Sequence, residues 1–193
     1  MRKTQAVISL TLIVLFAIVP TARPLWAPLR PAIARIVEVV AFPFGLAWLS
    51  AQPPDATLLM PVAGAKVHRI TDTWGAPRPG ARRHRGQDIF APKGTAVHSA
   101  TRGYVVRLGD NALGGKVVLI AGAGGRRYYY AHLAAFSPNL RVGMPVTPET
   151  VIGLVGNTGN AARTPPHLHF SMYTVVGAVN PLPLLLDRAS SSS

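Results

Sequence analysis

The sequence predicts an all-β domain, a small sandwich or barrel, behind a shorter N-terminal part. Three observations carry this. From about Leu59 to Leu186 the chain consists of short apolar runs, among them KVVLIAG (116–122), RRYYYAHL (126–133) and VIGLVG (151–156). Each has strand length and is rich in β-branched or aromatic residues. Turn signals punctuate them at Gly109-Asp110-Asn111, Gly114-Gly115, the stretch Gly122 to Gly125 and Gly143, at roughly the 8–12-residue spacing of all-β domains. Glycine and proline number 18 each in 193 residues, which favours a turn-rich fold over a helical one.

The elements follow in order. MRKTQ precedes an uncharged apolar run from Ala6 to Val19. Two cations before such a run are the mark of a secretory signal, and 14 residues fall short of the about 20 that span a bilayer. The cleavage site is poor, Ala22 at best, so residues 1–22 are expected to export the chain and to stay as a membrane anchor. Residues 23–58 then hold a short amphipathic helix and a linker. Ile33, Ile36, Val37, Val40 and Phe44 fall near helical spacing, with Arg35 and Glu38 off the stripe. Pro43 and Gly45 are expected to interrupt that helix, which would lie on the membrane or on the main domain. SAQPPDA reads as the linker, 59–186 as the domain, and 187–193 as a disordered tail.

Composition narrows the chemistry. Without cysteine there is neither a disulfide nor a thiolate metal site, so a transition metal would have to be held by His, Asp or Glu. The formal charge is +13, which suits an anionic partner: nucleic acid, an acidic membrane or an anionic polymer. From Pro61 onward there are 15 basic and 5 acidic residues, a balance of +10, so the surplus belongs to the domain and not only to its leader.

Three segments hold the candidate functional residues. His84 and Asp88 form an HxxxD pair in GARRHRGQDIF, where glycines argue for a loop leading into a strand. In RRYYYAHL, period-2 parity groups Tyr128, Tyr130 and His132 on one face. Its arginines and tyrosines also resemble a nucleic-acid platform, although an export signal counts against that class. In HLHFSM, His167, His169 and Ser171 share a face, opposite an apolar row of Leu168, Phe170 and Met172. A catalytic zinc needs three N or O ligands, an open position for water, and nearby groups for proton transfer and oxyanion stabilisation. These five residues meet that requirement.

HxxxD, YAHL, VIGLVGNTG and HLHF in that order resemble the lysostaphin-type, LytM-like zinc endopeptidases that cut peptidoglycan. The likeness covers about residues 60–182 and takes in DTWGAPR, APKGTAV and VNPL. It implies a small antiparallel β domain with a groove across one sheet. It implies one zinc per chain on His84, Asp88 and His169, with His132 and His167 as the catalytic pair that handles the proton and the oxyanion. Peptidoglycan peptides would be the substrate, outside the cytoplasmic membrane. Two departures concern groove shape: Pro165-Pro166 replaces the family's Gly-Pro, and Ser171 stands where an acidic residue is common. Ligand-free relatives act as wall-binding modules or enzyme activators, and the intact set of five argues for an enzyme instead. His68 and His98 match no family position.

Overall fold

Period-2 patterning becomes strands where it was expected. The computed structural model describes residues 30–78 and 80–189, with side chains from 40 onward. The expected signal or anchor over 1–22 and the last four residues of the tail lie outside the described residues. Helix α1 (Arg30–Ser50) comes first, then β1 (Leu58–Leu59), β2 (Pro77–Arg78), β3 (Arg82–Arg83), β4 (Gln87–Phe90), β5 (Ala96–His98) and β6 (Gly103–Asn111). β7 (Gly115–Gly122), β8 (Arg127–Phe136), β9 (Pro145–Val146), β10 (Val151–Val155), β11 (His167–Thr174), β12 (Gly177–Val179) and β13 (Leu185–Leu186) complete the order.

The main sheet is antiparallel and runs β12-β11-β8-β7-β6-β9, with β4 joined to β11 and β10 linking β8 to β5. β8 changes partners along its length. Residues 127–131 pair with β11, whereas Leu133, Ala135 and Phe136 pair with β10. That switch goes with a sheet curled into a half-barrel, with the core on the face that Leu168 and Phe170 share. β11 shows what holds the register: Leu168 and Phe170 are fully buried and Met172 nearly so. Burying each such side chain contributes about 1.5–3 kcal/mol. A slip of one residue would drive His167 and His169 into that core instead.

The parity expected for β8 breaks at one residue. Tyr128, Tyr130 and Leu133 are fully buried in the core, but His132 does not follow the first two. Opposite it the ladder to β7 slips, with Lys116 paired to Leu133 and Val118 to Tyr130. His132 takes a left-handed φ of 63°. This is a β-bulge, which re-aims the side chain it carries. Two of the three tyrosines, Tyr128 and Tyr130, thus belong to the core and offer no stacking face, whereas Tyr129 is partly exposed.

The helix departs from expectation in one way: it runs unbroken through Pro43 and Gly45. Of its expected stripe, Val40 and Phe44 are exposed, so of the two surfaces expected for them the domain is not the one they meet. Tertiary packing overrides the proline's cost. The Phe42 ring sits edge-on to Tyr104 with centroids 5.7 Å apart, Leu49 is buried, and a Cβ at Gly45 would overlap the Tyr104 hydroxyl. Only glycine allows that approach. Among the described residues no helix is long and apolar enough to cross a membrane. The described start of the tail is held rather than disordered. The backbone N–H of Val67 donates to Asp187 Oδ1 at 2.8 Å, and Arg188 donates to the carbonyls of Met60 and Ser99 at 2.6 and 3.0 Å.

Candidate metal centre and groove

β11 and β4 pair so that His169 lies opposite Asp88 and His167 opposite Phe90. His84 enters from the segment between β3 and β4. Its Nε2 stands 2.9 Å from His169 Nδ1 and 3.1 Å from Asp88 Oδ1, and His169 Nδ1 is itself 2.9 Å from Asp88 Oδ1. Gly86 makes room for this, because a Cβ there would fall 2.5 Å from both His169 Cε1 and Ser171 Oγ.

Each ligand candidate is oriented from behind. His84 Nδ1 is 2.7 Å from the Thr73 carbonyl oxygen. A carbonyl only accepts, so Nδ1 carries the proton and Nε2 presents a lone pair to the cluster. The Ser171 hydroxyl, 2.8 Å from His169 Nε2, can accept from that nitrogen and leave Nδ1 free in the same way. Arg78 holds Asp88 Oδ2 at 2.8 Å, so Oδ1 is the oxygen that faces the histidines. The Thr73 hydroxyl accepts the Asp88 N–H at 2.9 Å. Two imidazole lone pairs and a carboxylate oxygen at such separations repel one another. One shared proton relieves one contact, whereas a divalent cation relieves all three. This donor set fits zinc.

Burial alone would raise the Asp88 carboxyl, but in the absence of a cation a proton on His169 Nδ1 or His84 Nε2 lets those rings donate to it, and these hydrogen bonds outweigh burial and hold the group well below the usual carboxylate range. Burial lowers His169 in spite of that carboxylate.

The other two histidines form a second pair. His132 and His167 have ring centroids 5.0 Å apart. Nδ1 of each meets a backbone carbonyl at 2.9 Å, Thr158 for His132 and Pro165 for His167. Both rings therefore carry a proton on Nδ1 and turn Nε2 outward, and His167 Nε2 lies 3.9 Å from Asp88 Oδ1. His132 is pushed down to about 4, mainly by burial and against its bond to Thr158, so it is neutral at neutral pH. All five histidine and aspartate side chains singled out in the sequence thus meet in one place. They open into a groove whose rim includes Arg82, Arg83, Arg85, Leu113 and Tyr173. His68 and His98 lie outside the cluster and the groove lining. The supporting contacts of Thr73, Arg78 and Thr158 were not legible in the sequence, because two of them act through backbone carbonyls that only the fold brings close. Ser171 had a signal: it shares parity with both histidines of HLH.

The model of Peptidase family M23 matches residues 82–181. The chain belongs to that family. An L-Ala--D-Glu endopeptidase of Bacillus subtilis is 41% identical over 108 residues, covering 52% of this chain and 33% of that protein. Among solved structures, the catalytic domain of lysostaphin from Staphylococcus simulans is 29% identical with a TM-score of 0.53, covering 61% of this chain and 92% of its own. A zinc-containing peptidase from Vibrio cholerae is 27% identical with a TM-score of 0.57, covering 67% of this chain and 40% of its own. The chain spans a third or less of the length of the curated relatives it matches. The matched span includes all five site residues.

Proposed function

We propose that the chain is a zinc-dependent endopeptidase that hydrolyses peptide bonds of peptidoglycan cross-links. The observation that carries this reading is the convergence of His84 Nε2, Asp88 Oδ1 and His169 Nδ1 beside a second histidine pair at the floor of an open groove. The endopeptidase name of the Bacillus relative and the zinc of the Vibrio structure support it. Export across the cytoplasmic membrane, with Ala6–Val19 as anchor, belongs to the same proposal and would place the enzyme where the polymer is.

Zinc on His84, Asp88 and His169 would polarise the scissile carbonyl and acidify a water molecule. The protein's own task is proton transfer. Since both Nδ1–H groups are spent on carbonyls, His132 and His167 start as acceptors toward the groove. His167, the nearer to Asp88, takes the proton of the attacking water at Nε2. That new N–H is then the donor that can bond the developing oxyanion and pass its proton to the leaving amine. His132 accepts a hydrogen bond and keeps the attacking water in line. The role expected for a histidine at the oxyanion therefore begins only after proton transfer.

Ser171→Ala should weaken zinc binding about 10–100-fold, the usual cost of removing a group that orients a metal ligand. Competition against a chromogenic chelator would measure it, and unchanged affinity would show that Ser171 does not orient His169. The function itself is tested by digesting purified sacculi and separating the fragments. Cross-linked dimers should fall and monomers rise with the glycan intact. Cleavage at sugar linkages or at the muramoyl amide would rule the reading out.

A further inference from the structure

The described part of helix α1 has two unlike faces. Its inner face, formed by Phe42, Gly45, Leu46 and Leu49, is partly or fully buried, packing at the β6–β9 edge through Tyr104 and beside Gly143, whose Cβ would lie 3.7 Å from the Phe42 ring. The outer face carries Val40, Phe44 and Trp48, which are 56%, 73% and 63% exposed. A four-residue spacing places them in one row along the helix. Val142, next to Gly143 in the loop against Phe42, is 54% exposed as well. A row of large apolar side chains left in water marks a surface that something covers.

We propose that this row lies in the headgroup region of a lipid bilayer, so that the helix holds the catalytic domain against the membrane by its β6–β9 edge. Four observations select lipid as the occupant. The inner face is already taken by the sheet, which leaves the helix free to lie along a surface by its outer side alone. Tryptophan and phenylalanine suit that depth, where amphipathic and aromatic side chains anchor interfacial helices. The apolar run ends at Val19, and residues 20–29 span at most about 35 Å when extended. A bilayer that receives the run is thus within reach of the helix. The chain's charge of +13 favours an anionic membrane surface. The arrangement rests on the membrane placement proposed above but not on the zinc chemistry. It also leaves the groove accessible, because β4, β8 and β11 carry the site while the helix covers the far edge at β6 and β9.

The absence of cysteine allows a direct test on the full chain. Leu12→Cys, Phe44→Cys, Trp48→Cys and Val176→Cys are spin-labelled singly in protein reconstituted into phosphatidylethanolamine–phosphatidylglycerol vesicles. Val176 sits at the exposed tip between β11 and β12, the opposite edge of the sheet. Labels at 44 and 48 should collide with oxygen and not with a water-soluble nickel chelate, at a depth of about 5–10 Å, while the label at 176 does the reverse. Water exposure at 44 and 48 overturns the inference, whatever label 12 reports. Shielding from both quenchers overturns it too, because a second copy or the chain's own N-terminal run would then cover the row. Lipid exposure at 44 and 48 with water exposure at 12 supports it and removes the anchor instead.

Discussion

His169→Ala is expected to abolish zinc binding and turnover together. Wild-type protein should carry about one zinc per chain, and the variant close to none. The reason is the crossed arrangement of the three donors. His169 Nδ1 contacts both His84 Nε2 and Asp88 Oδ1 at 2.9 Å, so its loss leaves two ligands where a catalytic zinc needs three. Turnover should fall to the uncatalysed background, a loss of at least about 10⁶-fold if the enzyme is ordinary in power. The side chain contributes little to the core, whose β11 row is Leu168, Phe170 and Met172, so circular dichroism should stay native. Elemental analysis decides the matter: a folded variant that still holds a full zinc removes His169 from the ligand set.

His167→Ala and His132→Ala should separate binding from chemistry. Both should keep about one zinc per chain, since neither side chain belongs to the close cluster of His84, Asp88 and His169. Both should lose turnover by about 10²–10⁴-fold, the usual contribution of a positioned acid–base group. The His167 variant should suffer more, because its Nε2 is 3.9 Å from Asp88 Oδ1 and it is assigned the proton. Single-turnover rates on a cross-linked muropeptide, with metal content measured on the same samples, compare them. A His167 variant that folds but emerges free of metal would mean that a ligand has been mistaken for a base.

Much of the site was legible because strand parity is a hard geometric rule. HLHFSM obeys it throughout, with imidazoles and Ser171 on one side and an apolar row on the other. The same rule failed in RRYYYAHL. It grouped His132 with Tyr128 and Tyr130, whereas the bulge opposite Val118 and Lys116 turns His132 out of that row. Nothing in the local residues signals a bulge, which arises where β8 exchanges β11 for β10. The helix shows the same limit. Counting apolar positions left open whether the stripe with Val40 and Phe44 meets the domain or a membrane, and the face against the sheet is set by Gly45, whose missing Cβ lets the backbone approach Tyr104. The ligand supports at Thr73 and Thr158 are long-range backbone contacts, 11 and 26 residues from the histidines they orient, and period-based reading has no access to them.

Peptide hydrolysis by this cluster is expected to require its metal. The most direct measurement strips the wild-type protein with a chelator, removes the chelator, and titrates zinc back while sacculus cross-links are counted. Stripped protein should leave the cross-linked dimers intact, and cleavage should recover fully at about one zinc per chain. Undiminished cleavage by metal-free protein would show that the cluster does not work through a metal.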